Sequence, residues 1–316
     1  MRRPILYLLP LLLLAGACGH KAEPVQLLRF EQLLFAQAGS TQPGTAADFD
    51  SPLLNYHPND PEFMMAVRDF VNDEVVRSIY HATDSLYHDL GWLADELGTA
   101  MARARRVCPQ VDYRRFYTLV TADIGNYTNR TFCHGTDMAI SIDHYALGHA
   151  ASMQRFGVPA YITRLCRREY MVADIMATAV RSHIALPEGE LTLLDCAIAE
   201  GKTLHFLDHV LPSTPDTIKL RYSRAQLEWM QENAKHVWGW MVENDALFSR
   251  DMSQLHNLID DAPKTNAFGD GSAPRTHAWL GWQIVKQYVK KSGVGMEALL
   301  AETDSRKILN QSGWRP

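Results

Sequence analysis

Two glutamates set on the apolar faces of consecutive helical segments constrain this chain more than any other feature. In the segment headed by Pro159, the residues three, four or seven positions from Glu169 are Ile162, Leu165, Cys166, Val172, Ala173 and Met176. The 3.6-residue period therefore predicts an inward stripe with Glu169 in its middle. In the next segment Leu193, Cys196, Ala197, Leu204, Leu207 and Leu211 repeat the pattern around Glu200. An ionised carboxylate in apolar surroundings is costly unless a cation or a metal neutralises it. Each glutamate needs such a partner.

The rest of the chain places those helices in a fold. Asn59, Asp60 and Pro61 open a helix, and Leu86, Leu90, Leu93, Leu97 and Met101 recur at helical spacing towards Arg106. Between Phe116 and Tyr145 the period changes: Tyr117–Ile124 and Met138–Ile142 are β-branched or aromatic runs bounded by Gly125, Asn126, Gly135 and Thr136, which predicts two antiparallel strands. After Pro159 the helices run to about Ser182, from Leu191 to Leu211, from a capping box at Ser223 and Gln226 to about Glu243, then over Ala278–Lys291 and Met296–Leu309. The class is α+β, mainly helical, with a small antiparallel sheet.

The amino terminus carries a different signal. Arg2 and Arg3 precede an apolar run from Ile5 to Leu14 that closes on Ala15, Gly16, Ala17 and Cys18. Ten apolar residues fall short of the ~20 a spanning helix needs. The pattern resembles a bacterial lipoprotein leader, with 1–17 removed as signal peptide and Cys18 lipidated. Residues 18–55 then read as a tether with a docking segment at Leu27–Phe35, and 56–316 as one domain. Composition is ordinary at 47% hydrophobic and 21% charged, which excludes disordered, collagen-like and multi-span membrane classes. With 31 basic and 36 acidic residues the formal charge is −5. Nucleic acid is therefore excluded as a partner, and no footprint for an anionic membrane surface is present. Cys108, Cys133, Cys166 and Cys196 form no CxxC pair, and both disulfides and buried thiols fit them.

Strands, a helix with an embedded Glu and a second helix bearing Glu then Gly resemble the zincin peptidase core of the gluzincin type. There an HExxH helix supplies two zinc-binding His and a general base, and a Glu on the second helix is the third ligand. Here the window reads Arg168, Glu169, Tyr170, Met171, Val172. Both histidine positions are gone, which leaves no zinc set; a guanidinium, Arg164 or Arg168, is expected to supply the missing charge. The resemblance thus implies a zincin-like core without cofactor or catalysis, whose cleft is lined by Arg164, Arg168, Glu169, Tyr170, Glu200 and Lys202. The alternative is a zinc-dependent metallopeptidase with atypical ligands: His205 and His209 lie four apart on one helix face, a chelating spacing. No GxSxG, P-loop, GxGxxG or CxxC sequence is present.

A longer set of residues resembles one family. Arg29, Phe30, Leu34 and Phe35; Ile140, Ser141, Ile142, Asp143 and Tyr145; Glu200, Gly201 and Lys202; Asp261, Ala262 and Pro263; and Gly281, Trp282, Gln283, Ile284 and Val285 are similar to the gliding-motility lipoprotein B family of Bacteroidota. Glu-Gly-Lys and Gly-Trp-Gln-Ile-Val are the most specific stretches. The resemblance implies an outer-membrane, lipid-anchored, periplasm-facing protein associated with gliding and type IX secretion, with an envelope or secretion-machinery protein as partner and no known catalytic activity. The expected function is a non-enzymatic binding or assembly factor.

Overall fold

The computed structural model describes residues 22–36, 49–149 and 155–316; the leader and Cys18 lie outside them. In chain order the elements are β1 (Gln26–Arg29), α1 (Phe30–Ala36), α2 (Pro61–Asn72), α3 (Glu74–Tyr87), α4 (Gly91–Val107), β2 (Arg115–Leu119), β3 (Thr131–His134), β4 (Asp137–Ser141), α5 (Ile142–Ala146), α6 (Ala160–Thr163), α7 (Arg168–Arg181), α8 (Leu193–Val210), α9 (Asp216–Leu220), α10 (Arg224–Glu243), α11 (Met252–Ile259), α12 (Thr276–Ser292), α13 (Met296–Ala301) and α14 (Ser305–Ser312). The chain is mainly helical around a small sheet, as an α+β class requires.

The sheet is mixed, not antiparallel. Its order is β1-β2-β4-β3, with β1–β2 and β2–β4 parallel and only β3–β4 antiparallel. The reason lies in the connections. Gly135, at φ +57, turns β3 tightly into β4, as a hairpin demands. The excursion from 120 to 130 returns the chain to the far edge, so β4 enters beside β2 running the same way. Strand β2 also stops at Leu119 because Ala122 takes a left-handed turn at φ +55. The docking segment is built into the sheet: Gln26–Arg29 pairs with Arg115–Thr118, and Phe30 and Leu33 of α1 pack on Phe49, Tyr117 and Ala139.

On the opposite face Phe116, Met138 and Ile140 meet Leu93, Leu97 and Met101 of α4 and Ile175 and Met176 of α7, all buried. Asp60 caps α2 ahead of Pro61, and Ser223 with Gln226 forms the capping box of α10. The helix expected from Pro159 to Ser182 is broken, with α6 ending before Arg164 and α7 beginning at Arg168. Helices α8 and α12 touch backbone to backbone. A Cβ on Gly281 would sit 1.7 Å from the carbonyl oxygen of Ala197, and one on Gly201 would sit 2.3 Å from that of Gly281. That crossing accounts for the glycines of Glu-Gly-Lys and Gly-Trp-Gln-Ile-Val. Among the described residues no helix is long and apolar enough to cross a membrane.

Candidate functional site

Glu200, two turns from the start of α8, faces the core as its stripe predicts. Its partners are not the expected ones. Arg181, in the last turn of α7, donates from Nη2 to both carboxylate oxygens at 3.0 and 3.1 Å. Arg275, at the start of α12, donates to Oε1 at 2.6 Å. Burial would raise the Glu200 pKa, but Arg181 and Arg275 overrule it and hold the carboxyl at about 2. Arg275 is itself buried, and it also donates to the Leu220 carbonyl at 3.1 Å. Asp261 lies 3.8 Å from its Nε and pairs with Arg221 at 2.9 Å. A chain of alternating charge thus runs Arg181, Glu200, Arg275, Asp261, Arg221.

The backbone is bent to make this chain. Arg221 and Arg275 both occupy the left-handed region, at φ +63 and +48, where a non-glycine residue is strained. The Tyr222 hydroxyl donates to the Arg275 carbonyl at 3.1 Å and fixes the second of these turns. Beside it His277 is pushed down to about 4 by burial and by the Arg275 charge, so it stays neutral at pH 7.

Glu169 departs from expectation. Because α7 starts only at Arg168, Glu169 sits exposed in its first turn, where a carboxylate is favoured by the helix dipole. It lines a separate cavity of about 380 Å³ with Asp95, Thr99, Arg103, Val172 and Leu211. Arg181, which holds Glu200, is twelve residues further along α7, roughly 18 Å of helix. The two glutamates therefore do not share a cleft. Arg168 stacks on the Trp92 ring at 3.8 Å, and Arg164 donates to the Tyr170 hydroxyl at 3.4 Å and to the Arg221 carbonyl at 3.0 Å. Neither guanidinium neutralises Glu200. Tyr170 is buried, and Lys202 is buried with its ammonium on the Glu302 carbonyl; burial drops that ammonium to about 8. Of the six residues expected to line one cleft, Glu200 is a member of the charge chain, Arg164 touches it at the Arg221 carbonyl, and Tyr170 reaches it only through Arg164.

His205 and His209 meet edge to face at 4.7 Å. Burial and the neighbouring His209 push His205 down to about 4. Asp208 between them is committed to Lys219 at 2.8 Å and the Trp282 indole N–H at 2.8 Å. Among the described residues no group of three or more His, Cys, Asp or Glu is arranged to hold a metal ion. All four described cysteines are free. Cys166 lies 3.5 Å from Arg130, which pairs with Asp174 at 3.2 Å. The Tyr145 hydroxyl donates to the same carboxylate at 3.0 Å.

A cavity of about 410 Å³ opens at the Asp261 end of the charge chain. Its walls are Tyr127 and Thr128 from the loop after β2, Tyr161 and Ile162 from α6, Ile259, Asp260 and Asp261 from the end of α11, and Arg275. Asp143 clasps the root of that loop, accepting from the Ala122 N–H at 2.9 Å. The cavity pairs aromatic and apolar walls with carboxylates, of which Asp261 is backed by Arg221 and Arg275. Sequence reasoning missed Arg181, Arg221 and Arg275, which lie outside any apolar stripe; Asp261 stood among the family-like residues, without a role.

Neither the curated proteins nor the solved structures contain a match. A family model described as gliding motility protein GldB matches residues 19–316. That span takes in both halves of the charge chain, the α8–α12 crossing and the whole sheet, and it makes this chain a member of the gliding motility protein GldB family.

Proposed function

We propose that the protein is a lipid-anchored envelope factor of the gliding and type IX secretion apparatus, held at the outer membrane through Cys18 and facing the periplasm. Its work is to bind a partner of that apparatus, without catalysis. The observation that carries the non-catalytic reading is the state of Glu200. A buried carboxylate held at about 2 between two arginines is neither a proton acceptor near neutral pH nor a free metal ligand. The partner site is the Tyr127, Tyr161, Asp260 cavity. A zincin-like origin of the core belongs to the same proposal; it is supported by the order along the chain of sheet, Glu169 helix and Glu200-Gly201 helix, while Arg181 and Arg275 neutralise Glu200 alone.

Purification of the native lipidated protein in detergent, without a metal-binding tag, tests this. An envelope protein should co-purify with the wild type and be lost from Tyr161→Ala, and zinc should be substoichiometric. Stoichiometric zinc that disappears with His205→Ala or His209→Ala would establish the metallopeptidase reading instead. Cys18→Ser should move the protein from the membrane to the soluble fraction.

A further inference from the structure

The segment that leads away from Cys18 does not leave the domain freely. The Val25 N–H donates to the Ala94 carbonyl at 3.1 Å, and Gln26–Arg29 is locked in register on β2. Two residues before Val25 the Glu23 carbonyl lies so close to α4 that a Cβ on Gly98 would be 2.1 Å from it. Passing from Glu23 at Gly98 to Val25 at Ala94, the chain runs antiparallel to α4. Followed backwards from Val25 through Glu23 to Ala22, the first described residue, it heads for the carboxyl end of that helix.

The lengths agree. Four peptide steps separate Cys18 from Ala22, a reach of ~14 Å at most. Nine residues separate Gly98 from Val107 at the end of α4, also ~14 Å of helix. We infer that the bilayer holding Cys18 lies against the carboxyl end of α4 and the 108–114 turn into β2, so that the protein docks on its own membrane by that end. The exposed side chains of this end include Arg105, Arg106 and Arg114, with Asp112 shared between Arg105 at 2.7 Å and Arg114 at 3.3 Å, beside uncharged Pro109 and Gln110 and one exposed carboxylate, Glu297, near Cys108; guanidinium groups are good donors to lipid phosphates. Strand β2 runs away from this end, so the loop bearing Tyr127 and the cavity it walls sit at the far end of the sheet, open to a partner. The inference rests on the lipid anchor proposed above and adds the orientation that anchor imposes.

The test uses the native lipidated protein in vesicles of phosphatidylethanolamine and phosphatidylglycerol that carry a nitroxide on the headgroup. A coumarin amino acid is placed at Arg106 or, in a second sample, at Asn126. Quenching should be several-fold stronger at 106 than at 126. A Gly/Ser insertion of about fifteen residues after Lys21, which adds about 20 Å of flexible reach, should bring the ratio towards one. A protein that remains on the vesicles yet shows equal or stronger quenching at 126, or a ratio indifferent to the insertion, overturns the orientation alone. A protein that does not stay with the vesicles overturns the anchor and the orientation together.

Discussion

Glu200 matters to folding chiefly because the buried Arg275 guanidinium depends on it; Arg181, half-exposed, can return to water. Removing one member of a buried pair costs roughly 3–5 kcal/mol, since the remaining charge is left uncompensated. Glu200→Ala should lower stability by that amount in a denaturant melt at pH 7; an unchanged melt would show the pairing to be idle. The pH dependence has a fixed sign. The folded pKa of about 2 lies below the unfolded 4.5, so this stabilisation is complete above 4.5 and is lost as the pH falls towards 2, on the order of 3 kcal/mol. His205 and His277, both near 4 against an ordinary 6.5, should add an earlier loss between 6.5 and 4. Lys202 behaves alike at the other end of the scale: its folded value of about 8 lies below 10.5, so its contribution is whole above 10.5 and shrinks down to 8. The stability difference between wild type and Lys202→Met should therefore vary with pH across that window and level off below it. A constant difference would mean that the ammonium is hydrated.

Helix packing explains which parts of the sequence were readable. The apolar stripe of α8 placed Glu200 inside because α8 is regular over eighteen residues and begins at a capping box. The same reasoning failed for Glu169, since the apolar spacing runs unbroken through a place where α6 ends and α7 starts afresh. Periodicity reports which side chains are apolar, and a helix break that keeps phase leaves no mark on it. The parallel pairing of β2 with β4 was equally invisible, for it depends on the path of a loop rather than on the strands themselves. Glycines were legible as parts of family-like words but not as contacts. At the α8–α12 crossing, Gly281→Ala should cost 1–3 kcal/mol or more, because the neighbour in the way is backbone and cannot rotate aside. Gly98→Ala should act differently. It should release the segment before β1 to protease while the melt of the body moves little, and protection of that segment in the variant would contradict the close approach to α4.

On the scale of the whole molecule, the tether, the sheet and the charge chain point one way. The chain before β1 runs beside α4, the strands carry it to the opposite end, and there Arg275 and Asp261 close a cavity walled by two tyrosines. Family membership was legible in the sequence through short words spread over the chain, whereas the cavity was not, because its walls come from the loop after β2, α6, the end of α11 and the start of α12, which are distant in sequence. We place the work of this protein in binding at that cavity and not in chemistry at a glutamate. The direct measurement is surface delivery of type IX cargo in cells whose only copy carries Glu169→Gln or the pair Tyr161→Ala and Asp260→Asn, each at wild-type level in the membrane. The claim predicts normal delivery with Glu169→Gln and loss with the cavity pair; loss with Glu169→Gln and normal delivery with the cavity pair would contradict it.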